Sequence, residues 1–300
     1  MITQTYNNYW KLDLKELPTM GKLYPPDTII KIRPLNVQEI KYLATICEEN
    51  ATDIINEILE KCLILKGIEF EDIYLGDRMY FAFWVRINSF TKNSGYDINI
   101  KECDKCKNPY TTNIKLTDFD EKYITEEEHE IELPDCGITL KLKYPTIRDL
   151  DIVCEDKEIE KFIRHFDMPE KNITILEQFI KGLSALDYSI IKNNIDNMEI
   201  GFSHNITLYC PICGQAHTYT IEFTDMGLLG SVNLFDILEL TLRISKSMNY
   251  QIRDDMPWME VEILQEAANK IDEEERQLME KENGKISMNR VPNMPNLPKF

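Results

Sequence analysis

Apolar positions change period several times along this chain, and each change predicts an element. Ile30 and Ile32 alternate with Lys31 and Arg33, which reads as a strand over 28–33. Asn36 then stands as a helix cap with Glu39 three residues on, and a helix over 36–48 follows. Ile54, Ile55, Ile58, Leu59, Cys62 and Leu63 recur at helical spacing over 53–66, as do Met79, Tyr80, Phe83, Trp84 and Ile87 over 77–89. Alternation returns over 130–143, where two strands flank the turn Pro134-Asp135-Cys136-Gly137. Helices are predicted over 146–166, 173–184 and 187–197, then over 232–248 and 258–282.

Two further alternating stretches run into Cys-x-x-Cys turns. Residues 96–102 precede Cys103 and Cys106, and residues 203–209 precede Cys210 and Cys213. Alternation resumes after each pair, at Ile114 and Leu116 in one case and at Ile221 and Phe223 in the other. The two cysteine pairs are offset by 107 residues, and a second pair of landmarks has nearly the same offset. Ile30-Lys-Ile-Arg33 with Pro34 and Val37-Gln-Glu-Ile40 resembles Leu140-Lys-Leu-Lys143 with Pro145 and Ile147-Arg-Asp-Leu150, 110 residues later. This points to an internal duplication.

The expected fold class is α+β, built of duplicated strand-helices-strand-CxxC-strand units that share a zinc-ribbon-like site, with a C-terminal helical extension. The expected organisation is an extended arm at 1–27, a first repeat with its knuckle at 28–118, a linker and second repeat at 119–225, C-terminal helices at 226–283 and a flexible Pro/Asn tail at 284–300. The acidic run Glu126-Glu127-Glu128 reads as a solvated linker.

Four thiolates at two tight turns suit one tetrahedral zinc ion, because soft sulfur selects zinc or an iron-sulfur cluster over hard cations. Ordinary ribbons separate their pairs by about 15–20 residues, whereas 103 residues lie between Cys106 and Cys210. A whole repeat would therefore be inserted between the two halves of the site. The competing readings are reduced cysteines packed without metal and a redox disulfide in each pair; strand flanks argue against the second. His217, four residues past Cys213, is a candidate to replace a sulfur, or else a surface histidine of the hairpin.

Charge narrows the partners. The 300 residues carry 52 acidic against 34 basic side chains, a net of −18, which argues against binding nucleic acid through phosphate contacts. No leader pattern and no long apolar span appears, so neither a membrane nor a secretory route is expected, and folding in a reducing cytoplasm is. The four histidines form no ligand motif, and no phosphate-binding glycine loop is present. No enzyme and no small-molecule substrate are expected, since zinc held by four sulfurs has no open position. The other class considered is a zinc-ribbon regulator that binds nucleic acid or polymerase; a zinc hydrolase would need an open metal position.

The arm Leu17-Pro18-x-x-Gly21-x-x-Tyr24-Pro25, then Ile30-Lys-Ile-Arg-Pro34, the helix ending Phe83-Trp-Val-Arg-Ile-Asn-Ser89 with the cysteine pair after it, and the late Asp255-Met-Pro-Trp-Met-Glu260 resemble the baseplate hub assembly proteins of T-even-type contractile-tailed bacteriophages. The resemblance implies a non-enzymatic late protein that helps build the tail baseplate hub as a chaperone or as a structural subunit. It implies other baseplate and tail hub proteins as partners, with location in the host cytoplasm during assembly and in the virion tail if the protein is retained. On this reading Leu17, Pro18, Gly21, Tyr24, Pro25, Pro257 and Trp258 are candidate partner contacts.

Overall fold

The computed structural model describes residues 9–91, 95–115, 118–126, 129–168, 172–221, 223–229 and 232–288. The fold is α+β, with short antiparallel sheets set among helices. In the first sheet β1 (Trp10–Lys11), β2 (Ile29–Ile32) and β3 (Leu63–Lys66) lie in the order β1-β2-β3. Asn36 caps α1 (Val37–Leu43) by accepting from the Glu39 N–H, and the Glu39 carboxylate accepts in turn from the Asn36 N–H. The predicted helix over 36–48 thus has its start where the capping pattern puts it, but it stops at Leu43, after which turns occupy the chain to Asn50. There Asn50 accepts a hydrogen bond from the Cys47 N–H and donates to the Thr45 carbonyl.

The next helix, α2 (Ala51–Cys62), ends four residues before the predicted limit. The Cys62 carbonyl accepts from the Arg33 N–H, and Leu63–Lys66 pairs with β2 as a strand. A short apolar run such as Leu63-Ile64-Leu65 fits either period, and the open edge of β2 decided which it took. Helix α3 (Leu75–Ser89) follows, then the hairpin β4–β5 (Gly95–Ile100, Tyr110–Lys115).

Strands β6 (Glu121–Lys122) and β9 (Gly201–Phe202) pair across the chain, while β7 (His129–Leu133) and β8 (Ile138–Leu142) form the predicted hairpin. The helix predicted over 146–166 is two elements, a 3-10 turn at Ile147–Asp151 and α4 (Lys157–His165). Asp156 restarts the helix by accepting from the N–H groups of Glu158 and Ile159. Helices α5 (Ile173–Lys181) and α6 (Ala185–Asn197) lead into β10–β11 (Asn205–Tyr209, Ala216–Thr220), α7 (Asp225–Leu228), α8 (Leu234–Met248) and α9 (Trp258–Met288).

There are two main cores. The second is compact in sequence and gathers Leu133, Leu140, Leu142, Phe162, Phe166, Ile191 and Ile195. The first draws from much of the chain, joining Leu17, Ile30, Ile40, Ile55 and Phe81 to Ile206, Leu228, Ile237, Ile244, Val261 and Ala268. Residues from both ends of the sequence therefore close one core.

The segment expected as an extended arm is, from Trp10 to Tyr24, part of that core. Leu17 and Thr19 are fully buried, and β1 pairs with β2. Gly21 has φ +70°, and a Cβ there would lie 2.7 Å from Leu14 Cβ, which accounts for glycine at that turn. Helix α9 runs to Met288, so the first five residues of the tail expected at 284–300 are helical instead; residues 289–300, and residues 127–128 of the acidic run, lie outside the described residues.

Candidate metal centre

Each cysteine pair sits at the tip of a hairpin, and the two tips have the same backbone geometry. The Cys103 N–H donates to the Asn108 carbonyl and the Lys107 N–H to the Cys103 carbonyl, at 3.0 and 2.9 Å. In the second tip the Cys210 N–H donates to the Gln215 carbonyl and the Gly214 N–H to the Cys210 carbonyl, both at 2.9 Å. The residue four past the first cysteine is left-handed in both, Lys107 at φ +61° and Gly214 at φ +70°. A lysine in that conformation is unusual and costs about 1–2 kcal/mol, so the turn is imposed by its surroundings.

The hairpins are pinned from behind. Arg86 on α3 donates to the carbonyls of Gly95, where β4 begins, and of Gly227 on α7. Its place among aromatic neighbours in the sequence demanded such partners. Ile100, Tyr110 and Tyr219 pack around the tips.

This brings all four cysteines together, with Cys103 and Cys210 buried and every sulfur within 4.8 Å of the others. The two short separations run between the hairpins, Cys103 to Cys213 at 3.7 Å and Cys106 to Cys210 at 3.8 Å. A tetrahedral ion with metal–sulfur bonds of about 2.3 Å has edges of about 3.8 Å, so the residues present fit such an ion. A disulfide would need sulfurs about 2.05 Å apart.

The electrostatics of the cluster point the same way. The Cys106 N–H above all, with the Lys105 N–H and His217, pulls the Cys103 thiol down to about 6. Cys213 moves oppositely, to about 11: the Gln215 N–H lowers it, but burial and the neighbouring sulfurs outweigh that pull. Four adjacent thiols resist ionising together unless a cation neutralises them.

His217 Nε2 is 3.4 Å from Cys103 Sγ, and its Nδ1 is 3.0 Å from Asp104 Oδ2. The histidine thus bridges the two tips beside the sulfurs. Its link to Asp104 was not legible in the sequence, since the two residues come from different hairpins.

The other candidate residues are engaged within the chain. Leu17, Pro18 and Tyr24 are buried, Gly21 and Pro257 are half-buried, and Pro25 is exposed. Trp258 is buried, with its backbone N–H on the Leu35 carbonyl and its Nε1 on Glu262. One polar centre had no sequence signal. The buried Asp77 accepts from the Thr19 N–H and from the hydroxyls of Thr19 and Tyr24, at 3.0, 2.7 and 2.8 Å.

Fold and site together define an α+β protein whose two hairpins meet at a four-cysteine cluster. The chain belongs to the family described as T4 bacteriophage base plate protein, whose model matches residues 11–226. The matched span takes in both cysteine pairs, the second core and most of the first, and stops before α8 and α9, which supply Ile237, Ile244, Val261 and Ala268 to that first core. Comparison with curated proteins gives no match, and comparison with solved structures gives none either. No helix among the described residues is long and apolar enough to cross a membrane.

Proposed function

We propose that this protein is a structural component of the phage tail baseplate hub, acting without catalysis, and that its four cysteines hold one zinc ion that clamps two copies of a duplicated unit. Family membership over 11–226 carries the baseplate role, and the sulfur separations carry the clamp.

The duplication is supported by matched details in the two halves. Arg33 pairs with Glu39 at 2.6 Å, and Lys143 pairs with Asp149 at 2.9 Å, six residues on in each case. Glu39 and Asp149 both close capping boxes, with Asn36 and with Thr146. Arg33 donates its N–H to the carbonyl at the end of α2, and Lys143 donates its N–H to the carbonyl of His165 at the end of α4. Asn36 bridges to Pro257, just before α9, and Thr146 bridges to Tyr74, just before α3. In each unit the capping corner thus takes one bridge from the segment just before a long helix that lies outside that unit, and a metal shared by the two hairpins would tie the units together.

Zinc coordinated by four sulfurs lacks a position for water, and its contribution would be to folding. Elemental analysis with zinc-edge absorption on the purified protein tests the clamp: one zinc with four sulfurs at about 2.3 Å is expected, and metal-free folded protein would refute it. Fractionation of tail intermediates and finished particles tests the role. Recovery in both marks a hub subunit, recovery only in intermediates marks an assembly chaperone, and recovery in neither refutes the baseplate reading.

A further inference from the structure

Between α2 and the region from Ile147 through α4 runs a cleft of about 1230 Å³. Phe70, Ile147, Leu150 and Phe223 of its lining belong to the first core, while α4, which carries Ile159, Phe162 and Ile163 of the second, forms a wall, the kind of junction where binding sites form. Apolar lining comes from Phe70, Ile147, Leu150 and Phe223, and Val153 at 67% exposure adds an apolar side chain open to solvent.

The lining is acidic. Seven carboxylates face three cations, and the cations are already engaged, Arg148 with Asp72 and both Lys157 and Arg164 with Glu160. Asp53, Glu60, Glu71 and Asp151 are exposed and have no ion pair among the described residues. Asp53, Glu57 and Glu60 follow helical spacing on α2 and span about 10 Å.

One wall is fixed in advance. Asp225 accepts from Thr52 Oγ1 at 2.6 Å and pairs with Arg78 at 2.8 Å, while Arg78 Nε donates to Asn56 at 2.6 Å. This network locks α2, α3 and the start of α7 together behind the cleft, so little ordering would be lost on binding.

We propose that this cleft is a docking site for an extended basic segment of another protein, one that alternates lysine or arginine with apolar side chains. Alternate residues of an extended segment point to opposite sides. One set would meet the carboxylate row on α2 and the other the apolar lining. A second copy of this chain fits poorly, because two bodies of net charge −18 repel. The inference rests on the assembly reading above only in assuming a protein partner, and the metal clamp plays no part in it.

The test uses the full chain and fluorescein-labelled decapeptides in anisotropy titrations. One peptide alternates lysine with leucine, one has the same composition in two blocks, and one replaces lysine by glutamate. The alternating basic peptide is expected to bind most tightly, to weaken from about 0.05 M to about 0.5 M salt, and to lose about ten-fold or more in affinity with Glu60→Lys or Val153→Asp. Both positions are exposed, so circular dichroism melts of these variants should match the parent. Glu274→Lys, on α9, makes the same change of two charges elsewhere and should leave binding unchanged.

Equal binding of the block peptide, or equal loss with the α9 variant, would reduce the effect to net charge and overturn the proposal. So would tighter peptide binding after truncation at Met288, which would give the cleft to the chain's own tail, or a dimer in sedimentation that Glu60→Lys dissolves. Failure of these titrations with zinc content and particle recovery intact would sink this inference and leave the assembly reading standing.

Discussion

Replacing Asp77 by asparagine should flatten one part of the pH dependence of stability. Asp77 lies in the first turn of α3, wholly buried, and no cation pairs with it among the described residues. Burial pushes its carboxyl up from 3.8 to about 6, against the pull of three hydrogen bonds from Thr19 and Tyr24. A folded-state value above the unfolded one means that the folded protein holds the proton more tightly. This group therefore costs nothing below pH ~4, and its cost grows from pH ~4 to ~6 and then levels off. A shift of about two units corresponds to about 3 kcal/mol.

Asparagine keeps the shape and an acceptor for the Thr19 N–H, and the two hydroxyls can rotate to accept from its amide. Urea unfolding of both proteins at steps from pH 4 to 7, followed by tryptophan fluorescence, gives the difference directly. Effects common to both proteins, including protonation of other carboxylates and of the cysteines, cancel in it. Asp77→Asn should gain about 3 kcal/mol relative to the parent across that window. Two parallel curves would refute the reasoning, because they would mean that Asp77 is not buried as a charge.

Cys210→Ser should release the metal and unfold or separate the hairpins, since structural zinc contributes on the order of 10 kcal/mol; an unchanged melting temperature in the presence of chelator would count against the clamp. Glu39→Ala leaves the Arg33 guanidinium without its carboxylate partner and strips the reciprocal cap of α1, so a loss of about 3–5 kcal/mol is expected in denaturant titration. Gly21→Ala should cost about 1–2 kcal/mol from its left-handed backbone alone, and more from the contact with Leu14; a neutral result would show that the turn can relax. Leu17→Ala empties a fully buried site in the first core and should cost about 2–5 kcal/mol, against little change if the segment only lay on the surface.

The limits of a periodicity argument show in particular elements. Asn36 and Glu39 announced the start of α1 because a cap is a local hydrogen-bond pattern. The end of α2 did not announce itself, because Leu63–Lys66 became a strand only through pairing with Ile29–Ile32, more than thirty residues away. Thr146 and Asp149 likewise closed a capping box on a 3-10 turn where a long helix was expected. The segment around Leu17 and Tyr24 carries prolines and glycine that forbid regular structure, which fits an extended arm, but an irregular chain can also be buried. Its hydrogen bonds go instead to Asp77, more than fifty positions on.

The sequence by itself determined what depends on neighbours in the chain: caps, hairpin turns, two Cys-x-x-Cys tips, the mixed α+β character and the acidic balance. The convergence of the four sulfurs was expected from the paired Cys-x-x-Cys turns and is found, but tertiary structure alone decided that the close sulfur pairs run between the hairpins, that His217 meets Asp104, that residues from both ends share one core, and that an acidic cleft opens between α2 and α4. Contacts of that kind are selected by packing between distant segments, where burial of apolar surface outweighs local preference.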